Sequence, residues 1–158
     1  MNSLKRRVRS ERGAELIEFA LVFPVLLLVV LGIVDFGFLF QRMEVVTNAA
    51  REGARMAVLP GYTNADIEAR VCDYVKTGGV PTTTCGATGA TVVTIDPAFS
   101  IAMPSGPAMT AKRVEVVYTH QYLFIGPIAG WFGGAFTSVP IRGVAIMRDE
   151  VQAVGAGS

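Results

Sequence analysis

The amino-acid sequence predicts an α+β protein: a long N-terminal transmembrane helix continuing into an amphipathic helix, then a short helix and a small antiparallel sheet. Three observations predict it. An uncharged apolar run fills residues 19–34; small and apolar residues then recur at four-residue spacing to about Leu59; beyond Pro81 the apolar period falls from about 3.6 to 2. With 158 residues, 51% of them hydrophobic, and a mean hydropathy of +0.46, the chain is too apolar for an ordinary soluble domain and too short for a two-domain enzyme. It divides into a basic cytoplasmic leader at 1–13, a transmembrane segment at 14–41 and an extracytoplasmic α+β domain at 42–158.

The formal charge of +1 hides an asymmetry. Residues 1–13 carry Lys5, Arg6, Arg7, Arg9 and Arg12 against the single acid Glu11, so the head is +4 and the remainder −3. Phe19 to Val34 follows without a charge or an amide, and after Asp35 the chain stays apolar through Phe36, Gly37, Phe38, Leu39 and Phe40. As helix, the 22 residues from Phe19 to Phe40 reach about 33 Å, against a hydrocarbon core of about 30 Å. Asp35 must then lie near one interface. The basic cluster before the run places the N-terminus in the cytoplasm and everything after about residue 41 outside it. A cleaved secretory signal needs a small-x-small site directly after the run, which Val34-Asp35-Phe36-Gly37-Phe38 does not supply. A buried core helix is disfavoured by apolarity all around the helix. Pro24 predicts a local kink, of a kind transmembrane helices tolerate.

The junction between head and run is unusual for a plain anchor, because Glu15 and Glu18 sit at its edge. A carboxylate beside the hydrocarbon needs a partner. A cut between Gly13 and Ala14 would create one, since the new amino group lies four residues before Glu18, one helical turn away. Gly13 followed by Ala14-Glu15-Leu16-Ile17-Glu18-Phe19 resembles the processing site of type IV prepilins of the Flp class. Together with NAAREGARMAVLPG from Asn48 to Gly61, the VEVVY run and the closing GVAIMR, the stretch from Arg12 resembles TadE-like proteins, minor pseudopilins of the tight-adherence (Tad) pilus machinery. Glu15 departs from the pattern by adding a second acid after the cut.

The resemblance implies an inner-membrane protein, single-pass, that takes part in assembling a Tad/Flp pilus and is incorporated in it or retained in the membrane. Its partners would be prepilin peptidase, other pilins and pseudopilins, the inner-membrane assembly platform and the lipid bilayer. Glu18 would neutralise the N-terminal amine as subunits enter the assembly. No cofactor and no nucleic acid are implied.

After Gln41, Val45, Ala49, Gly53 and Ala57 recur every fourth residue, with Val46, Ala50 and Ala54 alongside. The helix is expected to stop at Pro60-Gly61. Such a stripe lets another backbone approach closely, either the chain's own sheet or a neighbouring subunit's helix. Arg51 and Arg55 share a face, where Glu52 can relieve Arg55; the sharper alternative pairs an arginine with Asp35 or Glu44 of an adjacent subunit.

Thr63 and Asp66 form a capping-box-like start for a second helix, with Ile67, Val71, Tyr74 and Val75 as its apolar face and Gly78-Gly79 and Pro81 as its stop. Thr91, Val93 and Ile95 then alternate as a strand, and Phe99, Ile101 and Met103 read as a separate short edge strand ending at Pro104. Val114, Val116, Tyr118 and His120 line one face of a longer strand, and Val139, Ile141, Gly143, Ala145 and Met147 one face of the last. Cys72 on the second helix and Cys85 in the loop before the first strand, thirteen residues apart, favour a disulfide outside the cytoplasm, the alternative being two reduced thiols. The apolar stretch from Leu123 to Phe136 is too short to span a membrane. It reads as a connection packed over the sheet, or as an exposed surface carrying Trp131, Phe132 and Phe136. Gly155 to Ser158 reads as a frayed tail.

Catalysis finds little support. His120 stands alone, no serine sits in G-x-S-x-G, and the glycine-rich stretch lacks a following Lys-Ser/Thr. With one histidine and two cysteines a metal site is not expected either. The competing readings are an uncleaved membrane scaffold subunit and, more distantly, an anchored extracytoplasmic hydrolase dependent on His120.

Overall fold

The computed structural model describes residues 2–104, 108–131, 133, 134 and 137–148, with residues 2–12 as backbone alone. One helix, α1 (Asn2–Ala57), supplies both the apolar stem and the central support of the head. It runs unbroken across Pro24, whose missing N–H and crowding of the preceding turn are tolerated within the helix. Beyond it come α2 (Asn64–Thr77), the two-residue strand β1 (Cys85–Gly86), β2 (Thr91–Ile101), β3 (Met109–Gln121), a short helix α3 (Ile125–Trp131) and β4 (Ser138–Arg148).

The second helix begins as its sequence dictates. Thr63 accepts from the Asp66 backbone N–H at 3.3 Å, and the Asp66 carboxylate accepts from the Thr63 backbone N–H at 2.8 Å, completing the capping box with Asp in place of the commoner Glu. The Thr63 hydroxyl also donates to the Asp66 carboxylate at 2.6 Å, and this bond, with that from the Thr63 backbone N–H, holds the Asp66 carboxyl below its ordinary range. At the other end, Gly79 takes φ +77 while its N–H bonds Lys76 O and that of Val80 bonds Val75 O. This is a Schellman stop, and the left-handed residue is the glycine.

The sheet order is β1-β2-β3-β4. The long strands form the expected antiparallel meander, with Val93 opposite Val116 and Val116 opposite Gly143. Two expectations change. Cys85 lies in a strand rather than a loop, and because β1 runs parallel to β2 the sheet is mixed. The residues read as a separate edge strand, Phe99 and Ile101, belong to β2, whose register shifts between Asp96 and Phe99. Pro97 cannot donate to a ladder, and Asp96 Oδ1 accepts the Ala98 N–H at 3.1 Å, so the strand bulges and resumes instead of ending. Met103 and Pro104 lie beyond it.

The core forms between the inner face of this sheet, the distal part of α1 and α2. Val46, Ala49, Ala50 and Ala54 of α1, Val71 and Val75 of α2, and Val114 and Val116 of β3 are all fully buried. Each buried valine adds about 1.5 to 3 kcal/mol relative to exposure. The small residues permit unusually close packing. A Cβ on Gly53 would lie 2.6 Å from Val71 Cγ2 and 3.1 Å from Val114 Cγ1, and one on Gly143 would lie 2.6 Å from the Val46 carbonyl oxygen. The stripe through Ala49 and Gly53 thus meets the chain's own head, with Ala57 partly buried at its end.

Candidate functional site

Over residues 14–30 every side chain of α1 is exposed, and the helix carries a segment of mean hydropathy 2.8 with nothing packed on it. It is long and apolar enough to cross a membrane. Gly13 lies inside the helix with nothing within 4 Å of where its Cβ would be, and Ala14, Glu15 and Glu18 are exposed along the same stretch. The leader side chains from Lys5 to Arg12 lie outside the described residues.

Asp35 is the exception on this stem, being fully buried. Its carboxylate accepts the backbone N–H groups of Leu123 at 3.0 Å, Phe124 at 2.9 Å and Ile125 at 2.7 Å. These are donors at the start of α3 that have no partner within their own helix, so a charge costly in a membrane and the orphan donors of a helix satisfy each other. The apolar stretch read as packing over the sheet instead returns to the stem. Ile125 Cδ1 reaches Gly32, and the Tyr122 ring meets Phe36 edge-on with centroids 6.4 Å apart. Phe132 and Phe136 lie outside the described residues, as does the segment from Gly155 to Ser158.

Two turns further on, Arg42 lies over the Phe38 ring at 5.7 Å and donates to His120 Nδ1 at 2.5 Å. Accepting there leaves the proton of the neutral imidazole on Nε2, which is buried and has no hydrogen-bond partner among the described residues. Burial, reinforced by the Arg42 charge, holds the His120 pKa below its ordinary value of 6.5. The ring is fully buried on the inner face of β3, beside α1 and without access to solvent.

Charges further along α1 serve the head. Glu52 accepts from Arg55 at 2.8 Å and from Arg70 of α2 at 3.4 Å, and these arginines, Arg55 foremost, hold its carboxyl below the ordinary range. Arg51 donates to Asn48 at 3.3 Å. Cys72 and Cys85 are joined in a disulfide with Cα atoms 5.7 Å apart, tying α2 to β1. Among the described residues, no group of three or more His, Cys, Asp or Glu could hold a metal ion.

The Asp35 cap and the Arg42–His120 pair are the two contacts that sequence reasoning missed. Asp35 stood out as a charge in an apolar run, which signals a partner inside the molecule; the backbone donors that meet it have no sequence signature.

The arrangement defines a class: an α+β protein whose long N-terminal helix is apolar enough to cross a membrane and continues as the spine of a disulfide-tied head. Residues 13–55, spanning Gly13, the apolar run and most of the spine, match the family model of TadE-like proteins, so over that part the chain is similar to them. Neither the curated proteins nor the solved structures contain a match to the chain.

Proposed function

We propose that the protein is a minor pseudopilin or assembly subunit of a Tad/Flp pilus, held in the inner membrane with residues 1–13 cytoplasmic, 14–41 spanning and 42–158 outside. The observation that carries this reading is the TadE-like match, which begins at Gly13 and covers the span and the spine together. Prepilin peptidase cuts after Gly13 and leaves the amino group of Ala14 one turn from Glu18. Glu18 is exposed on the stem, one turn from that amine. Other pilins, pseudopilins and the membrane assembly platform meet the stem, whose apolar side chains are exposed over residues 19–30.

A second reading, an uncleaved scaffold subunit, is favoured by one feature: α1 is continuous from Asn2 through Gly13, with no break at the cut. Intact mass of the protein purified from cells with and without the peptidase separates the two. Processing predicts loss of residues 1–13 that depends on the peptidase and is abolished by Gly13→Val. An unchanged mass in the presence of active peptidase sinks the pseudopilin reading and leaves the scaffold.

A further inference from the structure

The turn and helix from Tyr122 to Trp131 contact the stem within its apolar region, at Gly32, Asp35 and Phe36. Asp35, to which they are tied, is followed by Phe36, Phe38 and Phe40, exposed by 48%, 38% and 64%. The lipid-like surface therefore continues past the carboxylate for about five residues, or about 7 Å of helix. The first cation beyond it is Arg42, about 10 Å further along the axis than Asp35. The start of α3 is consequently anchored on the lipid side of that charge.

Its own surface matches that position. Leu123, Phe124 and Trp131 are exposed by 53%, 38% and 90%, and no charged residue occurs in the sequence from Tyr122 to Ile141. Irregular backbone is tolerated at membrane depth only when its polar groups are satisfied. Here the three N–H groups that enter α3 are satisfied by Asp35.

We propose that Tyr122–Trp131 lies in the outer interface of the bilayer as a second, monotopic membrane contact, with Trp131 among the headgroups and Asp35 locking it to the spanning helix. The occupant of this apolar surface is lipid, argued from its continuity with the exposed face of the span. The contact gives the head two attachments to the membrane instead of one and so restricts its rotation about the stem. The proposal rests on the reading of α1 as membrane-spanning.

Trp131 is the chain's sole tryptophan, so the full-length protein reports on itself. It is reconstituted at low density into vesicles of phosphatidylethanolamine and phosphatidylglycerol, and flotation with resistance to alkaline carbonate establishes whether α1 is inserted. In floating protein the Trp131 emission is expected to be blue-shifted, and to be quenched more strongly by lipids brominated near the headgroup than by lipids brominated near the chain end. Asp35→Leu, which still floats, should raise acrylamide quenching about twofold or more by releasing the segment from the interface. Unshifted, fully acrylamide-accessible emission in floating wild-type protein overturns the proposal and leaves the anchor intact. A blue shift insensitive to brominated lipid also overturns it, by showing Trp131 buried against protein such as a second copy. Protein that fails to float refutes the spanning reading and the proposal with it.

Discussion

Residues 14–30 and 45–57 belong to the same uninterrupted helix and meet opposite surroundings. Beyond Glu18 the first stretch is apolar all round, and all of its side chains are exposed; the second turns a face of valine, alanine and glycine to the head, with Val46, Ala49, Ala50 and Ala54 wholly enclosed. A stem that crosses a membrane needs apolarity on every side, because lipid offers its side chains no polar partner. The spine needs small residues on one side because a sheet and a second helix approach its backbone. Asp35 stands between them, where the surroundings change. Hydrophobic content alone therefore does not separate a membrane segment from a core segment; residue size and the number of apolar faces do.

The contrast breaks most severely where the spine touches the sheet. Gly143→Val places side-chain atoms on the backbone of Val46 and Thr47, neither of which can yield without moving the helix, and should cost about 3 kcal/mol or more. Loss of near-ultraviolet circular dichroism from the head, with the stem still helical in detergent, would register it. An unchanged melting temperature would show that spine and sheet are not packed this closely.

Opening the Cys72–Cys85 bridge comes next. Cys72→Ser should lower head stability by about 3 kcal/mol in the chain-entropy view of a loop of this size, and reductant should have the same effect on the parent protein but none on the variant. Equal melting of the oxidised and reduced parent protein would refute the contribution.

A paired substitution tests the two stretches directly. Gly53→Ala forces Val71 and Val114 aside and should destabilise the head by about 1 to 2 kcal/mol, even after the gain in helix propensity. Gly37→Ala meets nothing within 4 Å and should leave head stability within about 0.5 kcal/mol of the parent. If Gly37→Ala nevertheless abolishes pilus assembly, the stem's surface is used by neighbouring subunits as well as by lipid.

The smallest effect is on pH dependence. The folded His120 pKa lies below the unfolded value near 6.5, so the unfolded chain takes up the proton first. His120 then contributes full stability above that value, and the contribution is lost as pH falls below it towards the folded pKa. Chemical denaturation between neutral and mildly acidic pH should show this decline, and His120→Met should flatten it.

Much of this could be read without coordinates. The apolar run, the capping box at Thr63 and Asp66, the glycine stop after α2 and the alternation in β3 and β4 are local patterns, each imposed by a residue and its neighbours within a few positions. The bulge at Asp96–Phe99 was readable only in part: Pro97 marks an interruption, but whether a strand ends there or resumes depends on β3 offering partners beyond it. The short parallel strand at Cys85 and Gly86 carries no periodicity at all. In the candidate site, Glu18 and Gly13 stand out by spacing, whereas the cap on Asp35 joins positions 88 to 90 residues apart through backbone N–H groups that every residue but proline possesses.

The sequence by itself determined that one helix would be long and apolar enough to cross a membrane, where it would begin to be amphipathic, and that a small α+β head would follow, because periodicity and charge are properties of neighbouring residues. Only the tertiary structure decided that the small-residue stripe faces the chain's own sheet, that Arg42 meets His120, and that the Trp131 segment folds back onto the stem. Those outcomes depend on which surfaces meet once the elements are assembled, and the groups that hold them, backbone donors and close-packed glycines, look the same in sequence wherever they occur.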